Sequence, residues 1–306
     1  MKVDAVFEGG GVRGIGLVGA VCCLEQYGYS WEKLAGTSAG SIMAALLAVG
    51  YTGEELKDII MNLDYQLFLA KDPLQALPLI GGALGLLTVK GVYSGDYIET
   101  WLEKLLIAKG KTKFKHVYQN GTSQLKIISS DITTRDLLIL PDDLPKYGID
   151  PLEFSIAKAV RMSSSIPFYF KPVILKHKHG QNYIVDGGIL SNYPVWIFDV
   201  EGIPRWPTFG FKFSDNFVSY TASGKRDIVS YSLDIIGTML DRNELKIIKD
   251  KDYIRTVPIP TGTIGATHFN ITSAESLKLF SAGYQAAEQF LNTWDFEKYV
   301  TIYRRE

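Results

Sequence analysis

Twice within the first fifty residues, a short apolar run ends in a glycine-bearing turn that opens directly into a helical pattern. Residues 3–7 lead into Gly9-Gly10-Gly11-Val12-Arg13-Gly14 and the helical stretch 15–27. Residues 33–36 lead into Gly36-Thr37-Ser38-Ala39-Gly40 and the Ala/Leu-rich stretch 41–49. The alternation continues along the chain. Strands are expected at 125–130, 137–140, 183–185, 208–213 and 253–258, and helices at 154–160 and 227–240. Thr52 with Glu55, and Thr272 with Glu275, are capping-box pairs that open two further helices. A helix starting at Ser94 or Asp96 carries Ile98, Trp101, Leu102, Leu105 and Leu106 on one face, and the last long helix carries Leu277, Phe280, Tyr284, Ala287 and Leu291. Strands alternating with helices predict an α/β fold of three layers, α/β/α, about a mainly parallel central sheet covered on both faces.

Composition supports a folded core and narrows the partners. The chain has 306 residues, 46% of them hydrophobic, which suits one large α/β domain. No domain boundary or internal repeat is evident, so 1–306 reads as a single domain with its motifs in 3–195 and a C-terminal part in 196–306. A net charge of −1 gives no electrostatic footprint for nucleic acid. The basic run 109–115 reads as a solvated turn. Cys22 and Cys23 are adjacent in a helical pattern, where neighbouring side chains point apart, so they are expected as free thiols in a reducing, cytoplasmic setting. No cysteine or histidine spacing suggests a metal site, and no calcium-loop pattern occurs. The N-terminus lacks a signal-peptide pattern. The longest apolar run, 77–89, is about 13 residues against the roughly 20 a spanning helix needs.

Three motifs carry chemistry. Gly36-Thr37-Ser38-Ala39-Gly40, between a strand and a helix, has the form of a nucleophile elbow. A tight strand-to-helix turn crowds the residues two away on either side, and Gly36 and Gly40 relieve that crowding. Ser38 then stands at a helix N-terminus, where developing negative charge is favoured; the plainer reading is a glycine-rich turn with a capping serine. The run from Gly9 to Gly14 matches G-x-G-x-x-G and has two readings: a dinucleotide pyrophosphate cradle, or an oxyanion hole built from glycine N–H groups. A dinucleotide site wants an acidic residue closing the second strand. Here that strand runs into the serine turn instead, which favours the oxyanion reading. Arg13 holds the loop, meets an anionic head group or forms a structural ion pair. Asp186-Gly187-Gly188 follows a strand and places a carboxylate at the carboxyl edge of the sheet, although Asp-Gly is by itself an ordinary turn.

Together, in this order and context, the three motifs resemble those of the patatin-like phospholipases. Further stretches are similar too: Val92-Tyr93-Ser94-Gly95-Asp96, Arg161-Met162-Ser163-Ser164-Ser165-Ile166-Pro167, and Asp186 through Asn192-Tyr193-Pro194. The resemblance is strong over 3–195 and weaker through the helix at 276–291. It implies a Ser-Asp dyad of Ser38 and Asp186, and an oxyanion loop of Gly9, Gly10, Gly11 and Gly14. It also implies no metal or cofactor, and hydrolysis of lipid acyl esters with a lipid or phospholipid substrate, through peripheral contact with a membrane surface. Phospholipid, lysophospholipid, glyceride and thioester all suit such machinery.

A serine needs a base, usually histidine. His116, His177 and His179 lie in turn-like segments, and only His268, in a loop before a helix cap, fits the chain order of a Ser-Asp-His triad. An α/β-hydrolase using His268 is therefore one rival reading, and an oxidoreductase binding nucleotide at the glycine loop is another. The stretch 67–89, apolar and glycine-bearing, reads either as a buried core connection or as a mobile lid.

Overall fold

The computed structural model describes residues 1–69, 91–178, 180–214, 238 and 250–304. The first units are β1 (Lys2–Phe7), α1 (Gly14–Gln26), β2 (Ser30–Thr37), α2 (Ala39–Ala48) and α3 (Gly53–Met61). Next come β3 (Gly91–Tyr93), α4 (Asp96–Ala108), the small hairpin β4 (Tyr118–Gln119) and β5 (Thr122–Ser123), β6 (Leu125–Asp131), β7 (Asp136–Leu140) and α5 (Ile156–Ser163). They are followed by β8 (Phe168–Phe170), β9 (Val173–His177), β10 (Gly180–Asp186), β11 (Thr208–Ser214), α6 (Asp250–Tyr253), β12 (Thr256–Pro260), α7 (Ser273–Thr293) and α8 (Phe296–Tyr303). The expected helix over 227–240, apart from position 238, lies outside the described residues, as do 70–89 of the apolar stretch and His179.

The fold is the expected three-layer α/β/α sandwich with a mainly parallel sheet. Its eight strands run β12-β11-β1-β2-β6-β10-β9, with β7 also paired to β6. The β12, β11, β1, β2 and β6 neighbours pair in parallel. β7, β10 and β9 join antiparallel. Alternation along β1 shows how both faces are covered. Val3, Ala5 and Phe7 point into the main core with α1 and α2, whereas Val6 meets Ala35 and Phe198 in a second cluster. Both capping boxes form. Glu55 N–H donates to Thr52 Oγ1 at 3.3 Å and Thr52 N–H to Glu55 Oε2 at 2.9 Å. The Thr272–Glu275 box repeats the arrangement at 3.2 and 2.8 Å. No helix among the described residues is long and apolar enough to cross a membrane.

Three expectations change. α5 starts later than expected, because the Ser155 hydroxyl accepts the Lys158 N–H at 3.2 Å and so caps the helix there. The strand expected from 253 begins at Thr256, because residues 250–253 form a helical turn that lets Asp252 bind the buried Arg255 guanidinium. On α7 the buried stripe is Ser276, Leu279, Gly283, Ala286, Ala287 and Phe290, while Leu277 is 58% exposed. The reason lies in the crossing with α1. A Cβ built on Gly283 would lie 1.8 Å from the Gly16 carbonyl oxygen, so two helix backbones touch where hydrophobicity alone gives no signal.

That crossing generates a prediction. Gly283→Ala forces backbone apart from backbone and is expected to destabilise the fold by about 2 kcal/mol or more. Leu277→Ala is expected to stay within about 0.5 kcal/mol. Urea unfolding of both variants checks this.

Candidate active site

The register of β6 explains why Ser38 and Asp186 meet. β7 pairs along β6 from Ile127 to Asp131, filling one edge. On the other edge, β2 runs parallel and pairs Thr37 with Ile128. β10 runs antiparallel along the same edge and pairs Asp186 with Ser129. Two strands therefore run toward each other and stop at adjacent rungs. Asp186 does end its strand, as expected, but that strand comes from the opposite direction to the parallel ones.

The turn after β2 has the geometry of an elbow. Ser38 adopts φ 51° and ψ −123°, a region that side chains rarely occupy. Cβ atoms built at Gly36 and Gly40 would lie 2.1 Å from the Gly40 oxygen and 2.3 Å from the Phe7 oxygen, so only glycine fits on either side. The strained turn is tied down. Ser38 N–H donates to Ser163 Oγ at 2.9 Å, and Ser163 Oγ donates in turn to the Ile128 carbonyl beside it. The Ser38 carbonyl accepts from Ser41 N–H at 2.9 Å and Ser41 Oγ at 2.6 Å. Ser38 thus caps α2 with its hydroxyl left over.

Asp186 is fully buried. Its N–H donates to the Ser165 carbonyl at 2.9 Å, and its Oδ1 accepts from Gly188 N–H at 2.8 Å. Burial pushes the carboxyl up to about 7, against the opposing effects of the Ser38 hydroxyl and the Gly188 N–H. The Ser38 hydroxyl favours the charged form, and Oδ2 accepts no other hydrogen bond among the described residues. A carboxylate with an unspent oxygen beside an unspent hydroxyl can accept that hydroxyl's proton.

The glycine loop lies against the elbow, with the Cβ position of Gly9 3.1 Å from Ser38 Cβ. Its donors are fewer than the four glycines expected. Gly9 N–H is committed to the Asn192 carbonyl at 3.2 Å, and Gly14 N–H to the Gly11 carbonyl. Val12 N–H donates to the Ala266 carbonyl and Arg13 N–H to the Gly10 carbonyl, each at 3.1 Å. The Gly10 and Gly11 N–H groups have no partner among the described residues. Arg13 is buried; its Nε donates to the Gly10 carbonyl at 3.2 Å and its guanidinium stacks 5.2 Å from the Phe213 ring centroid. These contacts fit the loop-support reading, and the Arg13 charge also acts on the buried Glu8 carboxylate.

Four residues quoted only as part of a pattern turn out to hold the site. Asn192 Nδ2 donates to the Gly9 carbonyl at 3.1 Å, completing a clamp on the loop. Ser163 holds the elbow and Ser165 holds Asp186. Arg161 donates to Ser165 Oγ, to the Ser94 carbonyl and, at 2.9 Å, to the Lys171 carbonyl, tying α5 to β3 and β8. The three histidines among the described residues are engaged elsewhere. His116 Nδ1 accepts the Thr112 and Lys113 N–H groups, His177 meets Asn182, and half-exposed His268 sits 3.9 Å from Glu275.

Ser38 and Gly11 line an apolar cavity of about 60 Å³, walled by residues such as Met43, Phe68, Ile98 and Phe170. Phe68, at the start of the apolar stretch 67–89, is buried in that wall.

A three-layer sheet with an elbow serine, a glycine loop and a buried aspartate defines a class, and the chain belongs to it: it is a member of the patatin-like phospholipase family, whose model matches residues 5–199. Relatives fit that placement. YqhO of Bacillus subtilis, an uncharacterized protein, is 37% identical over 97% of this chain and all of its own. A probable lipid hydrolase, 463L of Invertebrate iridescent virus 6, is 27% identical over 62% of this chain and 61% of its own. Among solved structures, VipD of Legionella pneumophila shares the fold with a TM-score of 0.55 at 19% identity, over 95% of this chain and 67% of its own. ExoU in its complex with SpcU from Pseudomonas aeruginosa gives 0.52 at 17% identity, over 98% of this chain and about half, 52%, of that one.

Two substitutions read out the strain and the burial. Ser38→Gly relieves the backbone and is expected to raise stability by about 1 kcal/mol. Asp186 has a folded pKa above its unfolded one, so its contribution is full below about pH 4 and is lost as pH rises through about 7. Asp186→Asn removes that loss. Each tenfold change in proton affinity is worth about 1.4 kcal/mol, so the variant is expected to be stabilised by up to roughly 4 kcal/mol at pH 8, and far less at pH 4. Denaturant unfolding at the two pH values checks both.

Proposed function

We propose that this protein hydrolyses lipid acyl esters, of the phospholipase A or lysophospholipase type, with Ser38 as nucleophile and Asp186 as its base. The observation that carries the reading is the head-on meeting of β2 and β10, which sets an unspent hydroxyl beside an unspent, buried carboxyl oxygen. Family membership and the lipid-hydrolase relative support the substrate class. The apolar cavity beside Ser38 suits an acyl chain.

In this mechanism ionised Asp186 takes the Ser38 proton as Oγ attacks the ester carbonyl. The oxyanion forms against the Gly10 and Gly11 N–H groups, at the N-terminus of α2. Asp186 then gives the proton to the departing alkoxide, and a water attacks the acyl-serine by the same route in reverse. A carboxylate of ordinary pKa is a weak base near neutrality; desolvation raises the basicity of Asp186 to the range where base catalysis is effective. The clamps from Asn192, Ser163 and Arg13 keep the donors and the nucleophile in place between turnovers.

The chain works as one domain in this reading. β11 and β12 extend the sheet that carries the motifs, and α7 crosses α1. Free, buried Cys22 and Cys23 suit a reducing cytoplasm, where contact with a membrane surface is peripheral.

The test is fatty-acid release from phospholipid and lysophospholipid dispersions. Ser38→Ala is expected to abolish it, and Asp186→Asn to lower kcat by about a thousandfold, in the range that loss of a general base gives. Because the charged carboxylate is the base, the rate should rise with pH and level off above about 7. Full activity in Ser38→Ala would sink the proposal, and loss of activity in His268→Ala would replace the dyad with a triad.

A further inference from the structure

The loop that carries the Gly10 and Gly11 N–H groups rests on one aromatic ring. A Cβ built on Gly10 would lie 2.3 Å from Phe213 Cε2, so the Gly10 backbone lies directly against that ring. The Arg13 guanidinium covers the same ring, 5.2 Å from its centroid. The ring is held in turn by the residue that precedes the loop. β1 and β11 pair as far as Phe7 and Phe211, and Glu8 N–H donates to the Phe211 carbonyl at 3.0 Å. Beyond that rung β1 gives way to the glycines, and the Glu8 carboxylate takes over as acceptor. Its Oε2 receives the Phe213 N–H at 2.6 Å, and its Oε1 receives the Lys212 ammonium. One side chain thus grips two consecutive residues of β11 at the foot of the loop. Glu8 and Lys212 are both buried.

A buried ion pair is a poor way to hold two strands together. Its desolvation offsets much of its attraction, and apolar side chains of similar size usually serve as well or better. What it supplies is direction. We propose that the Glu8–Lys212 pair is a positioning device for the oxyanion loop, holding Phe213 so that the Gly10 and Gly11 N–H groups keep their aim at the tetrahedral oxygen. The proposal rests on the reading of that loop as the oxyanion hole. Hydrogen bonds to a charged acceptor are stronger than neutral ones, so the carboxylate fixes the Phe213 backbone more tightly than packing would. The pair also reaches the clamp on the other side of the loop. Lys212 Nζ lies 5.2 Å from the centroid of the Tyr193 ring, and the adjacent Asn192 holds Gly9 through its carbonyl and its side-chain amide. Donors set in place before charge develops need no reorganisation during the reaction, and that is the source of an oxyanion hole's effect.

The experiment uses Glu8→Gln, the double variant Glu8→Gln with Lys212→Met, and Phe213→Leu, which leaves the pair in place. Each is assayed for Tm, for hydrolysis of p-nitrophenyl butanoate, and for inhibition by an alkyl trifluoromethyl ketone and by the matching methyl ketone. With the trifluoromethyl ketone, Ser38 Oγ bonds to the carbonyl carbon, the serine proton passes to Asp186, and the carbonyl electron pair moves onto the oxygen as an oxyanion. The methyl ketone stays trigonal and reads ground-state binding. All rates are measured well below each variant's Tm, so loss of folded protein does not enter. Glu8→Gln leaves Lys212 buried without its counter-charge and is expected to lower Tm, whereas the double variant removes both charges and recovers it. In the double variant and in Phe213→Leu, kcat is expected to fall and the trifluoromethyl ketone Ki to rise, each by about 10- to 100-fold, short of the loss from deleting a donor outright. KM and the methyl ketone Ki are expected to stay within about twofold of wild type. A double variant with wild-type kcat and wild-type trifluoromethyl ketone Ki would make the pair structural only and overturn the proposal, as would equal weakening of the two ketones. Wild type inert to the trifluoromethyl ketone, or Ser38→Ala with full hydrolysis, would overturn the hydrolase reading itself. Wild type that is inhibited while the variants match it would overturn only the role of the pair.

Discussion

The shared edge of β6 is the constraint on which the site depends. One strand enters from each end, and the two stop at neighbouring rungs, Ile128 and Ser129. Serine and aspartate, nearly 150 residues apart in sequence, therefore converge without any loop having to reach across. The hydrogen bonds of the sheet fix their separation, and rigid elements position functional groups more tightly than loops do. The surrounding polar contacts follow from the same edge: Ser163 binds the Ile128 carbonyl next to the elbow, and the Ser130 hydroxyl binds the Gly187 carbonyl just beyond Asp186.

This arrangement stores free energy at the centre of the molecule. Ser38 holds a backbone conformation that suits glycine, and Asp186 sits where its charge is poorly solvated. Both are sustained by the large apolar core around β1, α1 and α2 and by the close crossing of α1 with α7. Neither strain nor burial helps the fold. In the proposed chemistry each has a use: a rigid nucleophile and a base that titrates near neutrality.

Much of this is legible in the sequence because it is local. The steric demand for Gly36 and Gly40 follows from the turn itself, and both capping boxes are short-range pairs. The alternation of strands and helices is enough for a layered α/β fold. What stays hidden depends on pairing across distance. Nothing in residues 180–186 tells that β10 runs antiparallel. The glycine run suggests four donors, but Gly9 and Gly14 spend theirs on Asn192 and Gly11, a fact set by which backbone lies opposite. The inward face of α7 escapes a sequence reading for a similar reason: Gly283 is buried for its smallness, and a count of large apolar residues points to Leu277 instead.

The central claim is that Asp186 activates Ser38. The most direct measurement is the rate of fluorophosphonate labelling between pH 5 and 9, with the modified peptide mapped by mass spectrometry, in wild type and in Asp186→Asn. The account predicts label on Ser38, forming faster as pH rises through about 7, and a slow, nearly pH-independent reaction in Asp186→Asn. Folded protein that takes no label at Ser38, or an Asp186→Asn variant that labels as fast as wild type, would contradict it.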